Sequence, residues 1–151
     1  MPSLDRATTD FASPTAIWRS QQANPHEIRL LVATTRKQTG KAQLGNDLAT
    51  ETTYLSTSVS IPPDHRAGVI ERPSLTPESP KRHMILGAQR VLDAETFRTT
   101  LATALSGRVG VSRDVMIFVH GFNTSYDEAR YRLAQVVDDA HFTGVPVLFT
   151  W

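Results

Sequence analysis

The chain has 151 residues, enough for one domain with a hydrophobic core, since domains of about 100–150 residues are the commonest size. Sixteen basic against fifteen acidic side chains leave a formal charge of +1, so no net field directs the chain to nucleic acid, an anionic membrane or an acidic substrate. With no cysteine, disulfides, thiolate nucleophiles and cysteine-ligated metals are excluded, while the redox compartment stays open.

Residues 1–26 mix Ser, Thr, Asp, Gln and Pro with few large apolar residues, and read as a flexible tail in which Ile17 and Trp18 are local anchors. They hold no apolar run of signal-peptide length, and nothing downstream approaches the roughly 18 residues of a spanning helix. The expectation is a soluble, cytoplasmic protein with one domain over 27–151.

Order begins at EIRLLVATTR, where Ile28 to Thr35 are β-prone. KQTGKAQLGNDLATET, polar and with two glycines, reads as a loop. In TYLSTSVSIP, Leu55, Thr57, Val59 and Ile61 alternate with serines, the pattern of a half-buried strand, which Pro62-Pro63 ends by removing backbone donors. ERPSLTPESPKR, with its three prolines, is a connection, and HMILGAQRVL is a third strand candidate.

In DAETFRTTLATALSG the period changes: Phe97, Leu101, Ala104 and Leu105 share one helical face, with Asp93 as N-cap and Gly107 as a left-handed terminator. The continuous apolar run VMIFV then suits a buried central strand better than an edge. A second helix carries the stripe Tyr126, Ala129, Leu133, Val136, Val137 and Ala140; Ser125 and Glu128 have capping-box spacing, and Gly144 closes it. VPVLFTW follows as another buried strand, making residues 115–151 a βαβ unit with a parallel pair.

A loop leaving the carboxyl end of a parallel strand and entering a helix is where open α/β sheets place their sites, and HGFNTS occupies that position. Gly121 allows a sharp turn and close approach of a ligand, and the backbone N–H groups of Phe122 and Asn123 are candidate donors to an oxyanion. Residue chemistry alone leaves a second reading open, a strand-ending turn followed by a helix cap.

VMIFVHGFNTSYDEARYRLAQVVDDAHFTGVPVLFTW, with LLVATTRKQTG and VSIPPDHRAGVIERPS upstream, resembles the bacterial α/β-hydrolase family DUF900. The resemblance spans roughly residues 28–151, and HGFNTS with the following helix is its most specific block. It implies an incomplete α/β-hydrolase-type sheet, N-terminal strands followed by a βαβ unit, with His120 and Gly121 shaping an oxyanion loop and Phe122 and Asn123 supplying donors. In such enzymes the nucleophile sits on a Gly-x-Ser-x-Gly-like elbow after a later strand, followed by an acid and a histidine. No Gly-x-Ser-x-Gly occurs in the sequence. The expectation is therefore the N-terminal portion of a serine-type hydrolase of ester-like or other acyl bonds, inactive alone. The alternatives are a non-catalytic interaction or remnant module, or one half of a split enzyme. In the hydrolase sheet the His-Gly strand lies between the VPVLFTW strand and the one bearing the elbow; without the latter, Val115–Val119 is expected to offer an open edge for self-association.

No triad is improvised from the residues present. Ser125 reads as a cap rather than a nucleophile, and Asp114 lies at the wrong end of its strand to orient His120. Asp64 and His65 read as part of a Pro-rich turn, and His26, His83 and His141 are scattered singly without an i, i+4 partner. The basic residues near Arg66 and over Pro80–His83 read as solvated surface, and Tyr126 and Tyr131 as packing residues. No metal site or cofactor is implied; the expected partner is a small ester-like substrate if the site is completed, with no nucleic acid and no membrane.

Overall fold

The structure, a computed structural model, describes residues 24–108 and 112–151; most of the tail expected over 1–26 lies outside these residues. In chain order the elements are β1 (His26–Gly40), β2 (Gln43–Ile61), β3 (Ile85–Leu86), β4 (Arg90–Leu92), α1 (Ala94–Ser106), β5 (Val115–Val119), α2 (Tyr126–Asp139) and β6 (Val145–Thr150). They build a mixed α/β fold around one sheet ordered β3-β2-β1-β6-β5, with β4 also on β2. The pairs β1–β6 and β6–β5 are parallel, and β1–β2 is antiparallel.

The expected loop at KQTGKAQLGNDLATET is instead the distal half of a long β1–β2 hairpin, turned at Lys41 and Ala42 with Ala42 at φ 58°. Most of its residues are exposed on both faces, so no apolar alternation marked it; ladder hydrogen bonds hold it, with register shifts between Thr34 and Gly40. The alternation of Leu55, Thr57, Val59 and Ile61 is realised, all four being buried. HMILGAQRVL splits into two short strands on β2 at Gly87, whose N–H donates to Ser58 O at 2.8 Å and where a Cβ would lie 2.3 Å from Ser58 Oγ.

One helix covers each face of the sheet. Leu133, Ala134, Ala129 and Val137 of α2 pack on Leu30, Val32, Leu55, Val59 and Leu148, forming the main core. On the other face, Phe97, Leu101, Ala104 and Leu105 of α1 lie on Leu31, Leu92, Val145 and Val147, and no α1 residue is fully buried. Asp93 caps α1 through Thr96 N at 2.6 Å, but Gly107 has φ −80° rather than a left-handed conformation. The left-handed residue after α2 is His141 at φ 51°, not Gly144, which instead sits under Asp114 O and Phe142 at the start of β6.

For β5 the reading from local apolarity, a buried central strand, is corrected, and the open edge expected from the missing neighbour is present. β5 is an edge strand whose only partner among the described strands is β6, and Ile117 and Val119 are 67% and 56% exposed. Its alternate residues Met116 and Phe118 do pack on the main core under α2. The uniform apolarity of VMIFV belongs to a strand with two apolar faces, of which α1 leaves one uncovered. No described helix is long and apolar enough to cross a membrane.

Candidate active site

Strands β6 and β5 end where the parallel pairing of β1 with β6 ends, and a buried polar network ties the three strands together there. His120 follows β5, Thr150 ends β6 and Arg36 lies in β1; they are 7%, 0% and 3% exposed. Arg36 Nε donates to Thr150 Oγ1 at 2.8 Å, and Thr150 Oγ1 lies 2.8 Å from His120 Nε2. His120 Nδ1 is 2.8 Å from Gly121 O, an acceptor only, while Trp151 N donates to Nε2 at 3.3 Å. These partners select the tautomer with the proton on Nδ1, so the Thr150 hydroxyl accepts from Arg36 and donates to His120. Thr34 Oγ1 donates to Thr150 O at 3.0 Å and accepts from Arg36 N at 2.9 Å, and the Trp151 ring stacks on His120 at 5.6 Å. Both ring nitrogens of His120 are thus engaged in holding the turn.

Arg36 has no carboxylate partner among the described residues. Besides Thr150 it donates to Gly45 O, Asn46 Oδ1 and, at 2.6 Å, Thr124 O, directly beneath the turn into α2. Burial lowers its pKa, yet a guanidinium stays charged, so an uncompensated positive charge underlies the turn.

The sharp turn expected at Gly121 takes its left-handed residue two positions later. Gly121 is not left-handed and a Cβ there would meet nothing within 4 Å; the left-handed residue is Asn123 at φ 58°. Among the described residues no acceptor takes the backbone N–H of Phe122 or Asn123. Phe122 is 88% exposed. His120, Gly121, Asn123, Thr124 and Glu128 line a cleft of 440 Å³ whose far wall is Ile70 and Arg72, with Tyr131 and Arg132 from α2.

Ser125 and Glu128 form the capping box: Glu128 N donates to Ser125 Oγ at 3.2 Å, and Ser125 N to Glu128 Oε2 at 2.9 Å. Those bonds depress the Glu128 pKa. His120 has no bond to Ser125, so the one serine beside it has no base. Tyr126 and Tyr131 are buried against the core; Tyr126 donates to Gln89 Oε1 at 2.6 Å, and burial pushes its phenol up to about 12 despite Arg130 over its ring.

This arrangement, a histidine-glycine turn at the end of a parallel strand feeding a capped helix, lies inside the segment that resembles a known family. Residues 93–151 match DUF900, an alpha/beta hydrolase family of unknown function. The DUF900 match runs from the α1 cap to the last residue of the chain and includes the whole βαβ unit; the two upstream blocks of resemblance, in the β1–β2 hairpin and the loop after it, fall outside it. No curated protein and no solved structure matches the chain.

The structure also assembles residues that the sequence left apart. His65, in the turn closed by His65 N to Pro62 O, meets Glu71 and, from the far end of α2, Asp138 and Asp139; His26 joins Asp138. With His65 and Asp139 74 positions apart, no spacing rule finds this group. Asp114 stays at the amino end of β5, bonded to Ser112, and Asp64, next to His65, is exposed.

Proposed function

We propose that residues 27–151 form the oxyanion-side, N-terminal part of a serine-type α/β-hydrolase acting on ester-like or other acyl bonds. The observation that carries this reading is the pair of N–H groups with no acceptor among the described residues, Phe122 and Asn123, in the turn whose Gly121 and Asn123 line the 440 Å³ cleft. Donors aimed where an oxyanion develops stabilise the transition state most when they are fixed in advance. Here the His120–Thr150–Arg36 network fixes the turn, and both the Arg36 charge and the amino terminus of α2 favour negative charge above it. The nucleophile and its base come from outside these residues, so the chain alone does not turn over.

Titration of ¹⁵N-labelled protein with a short alkylphosphonate monoester, a tetrahedral anion, tests the donors. Saturable shifts at the Phe122 and Asn123 amides are expected, and shifts confined elsewhere would overturn the reading.

A second reading, a non-catalytic interaction module or one half of a split enzyme, is favoured by the open edge of β5 with exposed Ile117 and Val119.

A further inference from the structure

At the opposite end of α2 from the cleft, three side chains converge. His65 Nε2 is 2.8 Å from Asp139 Oδ1 and 3.7 Å from Asp138 Oδ2, and one ligand atom from each residue can be chosen with all three within 4.8 Å of one another. The His65 and Asp138 side chains are 7% and 9% exposed.

Each of the three is held from behind by another group. The His65 ring presents Nδ1 to both oxygens of Glu71, at 3.0 and 2.9 Å, which turns Nε2 toward the aspartates. Asp138 accepts from His26 Nε2 on Oδ1 at 2.5 Å, leaving Oδ2 on the His65 side. Asp139 accepts from Gly68 N on Oδ2 at 2.7 Å, leaving Oδ1 toward His65. A carboxylate behind a histidine, with a preset tautomer and aspartates fixed by their outer oxygens, is the outer shell that metal sites use to aim their ligands.

Charge points the same way. Glu71, Asp138 and Asp139 gather three negative groups, two of them at the carboxyl end of α2, where the helix dipole is negative and no basic residue occupies the last turn. Among the described residues no Lys or Arg pairs with them; their ion-pair partners are histidines.

We propose that His65 Nε2, Asp138 Oδ2 and Asp139 Oδ1 bind a divalent transition-metal ion of the zinc type, with Glu71 and His26 positioning the ligands and solvent completing the coordination. One imidazole and two carboxylates suit zinc, whose ligands at about 2.0–2.2 Å stand roughly 3.4 Å apart in a tetrahedron. Reaching that spacing needs Asp139 Oδ1 to withdraw from His65 Nε2 by about half an ångström, within the reach of a side-chain rotation. A 280 Å³ recess lined by His26, Asp138 and His141 reaches the Asp138 side of the cluster. The ion would tie the loop after β2 to α2, and since Ile70 and Arg72 flank Glu71, it would set the far wall of the cleft.

The test is a calorimetric titration of the chelator-stripped chain with Zn²⁺, followed by long-range ¹⁵N–¹H spectra of the histidine rings. One equivalent binding in the micromolar range, with the Nε2 resonance of His65 moving on saturation, is expected. Asp139→Asn, nearly isosteric, should weaken binding by more than tenfold, and Glu71→Gln by about tenfold to a hundredfold. No saturable binding by the wild-type chain, or binding that leaves the His65 resonances in place while those of His83 or His141 move, overturns the proposal, and both are read on unmutated protein. Unchanged Zn²⁺ affinity in a folded Asp139→Asn variant overturns it as well.

Discussion

The Thr150 hydroxyl stands 2.8 Å from Arg36 Nε on one side and 2.8 Å from His120 Nε2 on the other, and can satisfy both only by accepting from the first and donating to the second. One methyl-sized oxygen at the end of β6 thereby joins a buried charge in β1 to the turn after β5.

Thr150→Val keeps the shape and removes that link, leaving a buried guanidinium N–H and a buried imidazole nitrogen each short of a partner. The expected loss is about 1–3 kcal/mol in urea denaturation. A loss below about 0.5 kcal/mol, the ordinary range of surface substitutions, would show that the network does not hold the turn.

Ser125→Ala should lower stability by about 1 kcal/mol through loss of the cap, and should change nothing in a chromogenic short-chain ester assay, where the wild-type chain is expected to show no turnover. Hydrolysis by the wild-type chain that disappears in this variant would make Ser125 a nucleophile and refute its assignment as a cap.

Glu128 and Asp93 are both carboxylates whose pKa values are depressed by hydrogen bonds from backbone N–H groups at helix starts. A group with a depressed folded pKa contributes stability above its unfolded pKa and loses it as pH falls through the folded value. Stability should therefore decline on acidification below the ordinary carboxylate range. Glu128→Gln retains the capping bond without the titration, so its decline across that window should be shallower than that of the wild type. Parallel profiles would contradict the shift.

The open edge of β5 should drive association of the wild-type chain at rising concentration in sedimentation velocity, and Ile117→Lys should suppress it by placing a charge on the exposed face. A wild-type chain that sediments as a monomer throughout would rule this out.

Much of the scaffold was legible because its signals are local. Leu55 to Ile61 declare a strand by alternation, α2 declares itself by its stripe and its Ser125–Glu128 box, and the order strand, helix, strand over 115–151 implies the parallel pair. The hairpin arm through Lys41 was not legible, because residues wet on both faces carry no period and only cross-strand backbone bonds hold them. Within the candidate site, the position of HGFNTS was visible, but nothing local marked Asn123 as the residue that takes the left-handed conformation.

The sequence by itself determined the element types, the βαβ order, the helix cap and the lack of a nucleophile elbow, since each depends on residues a few positions apart. Only the tertiary structure decided that one apolar face of β5 stays uncovered by α1, that Arg36 lies under the turn it supports, and that His65 meets Asp138 and Asp139. Those outcomes depend on which strand ends and helix ends become neighbours, and packing of the whole sheet, not any local period, sets that.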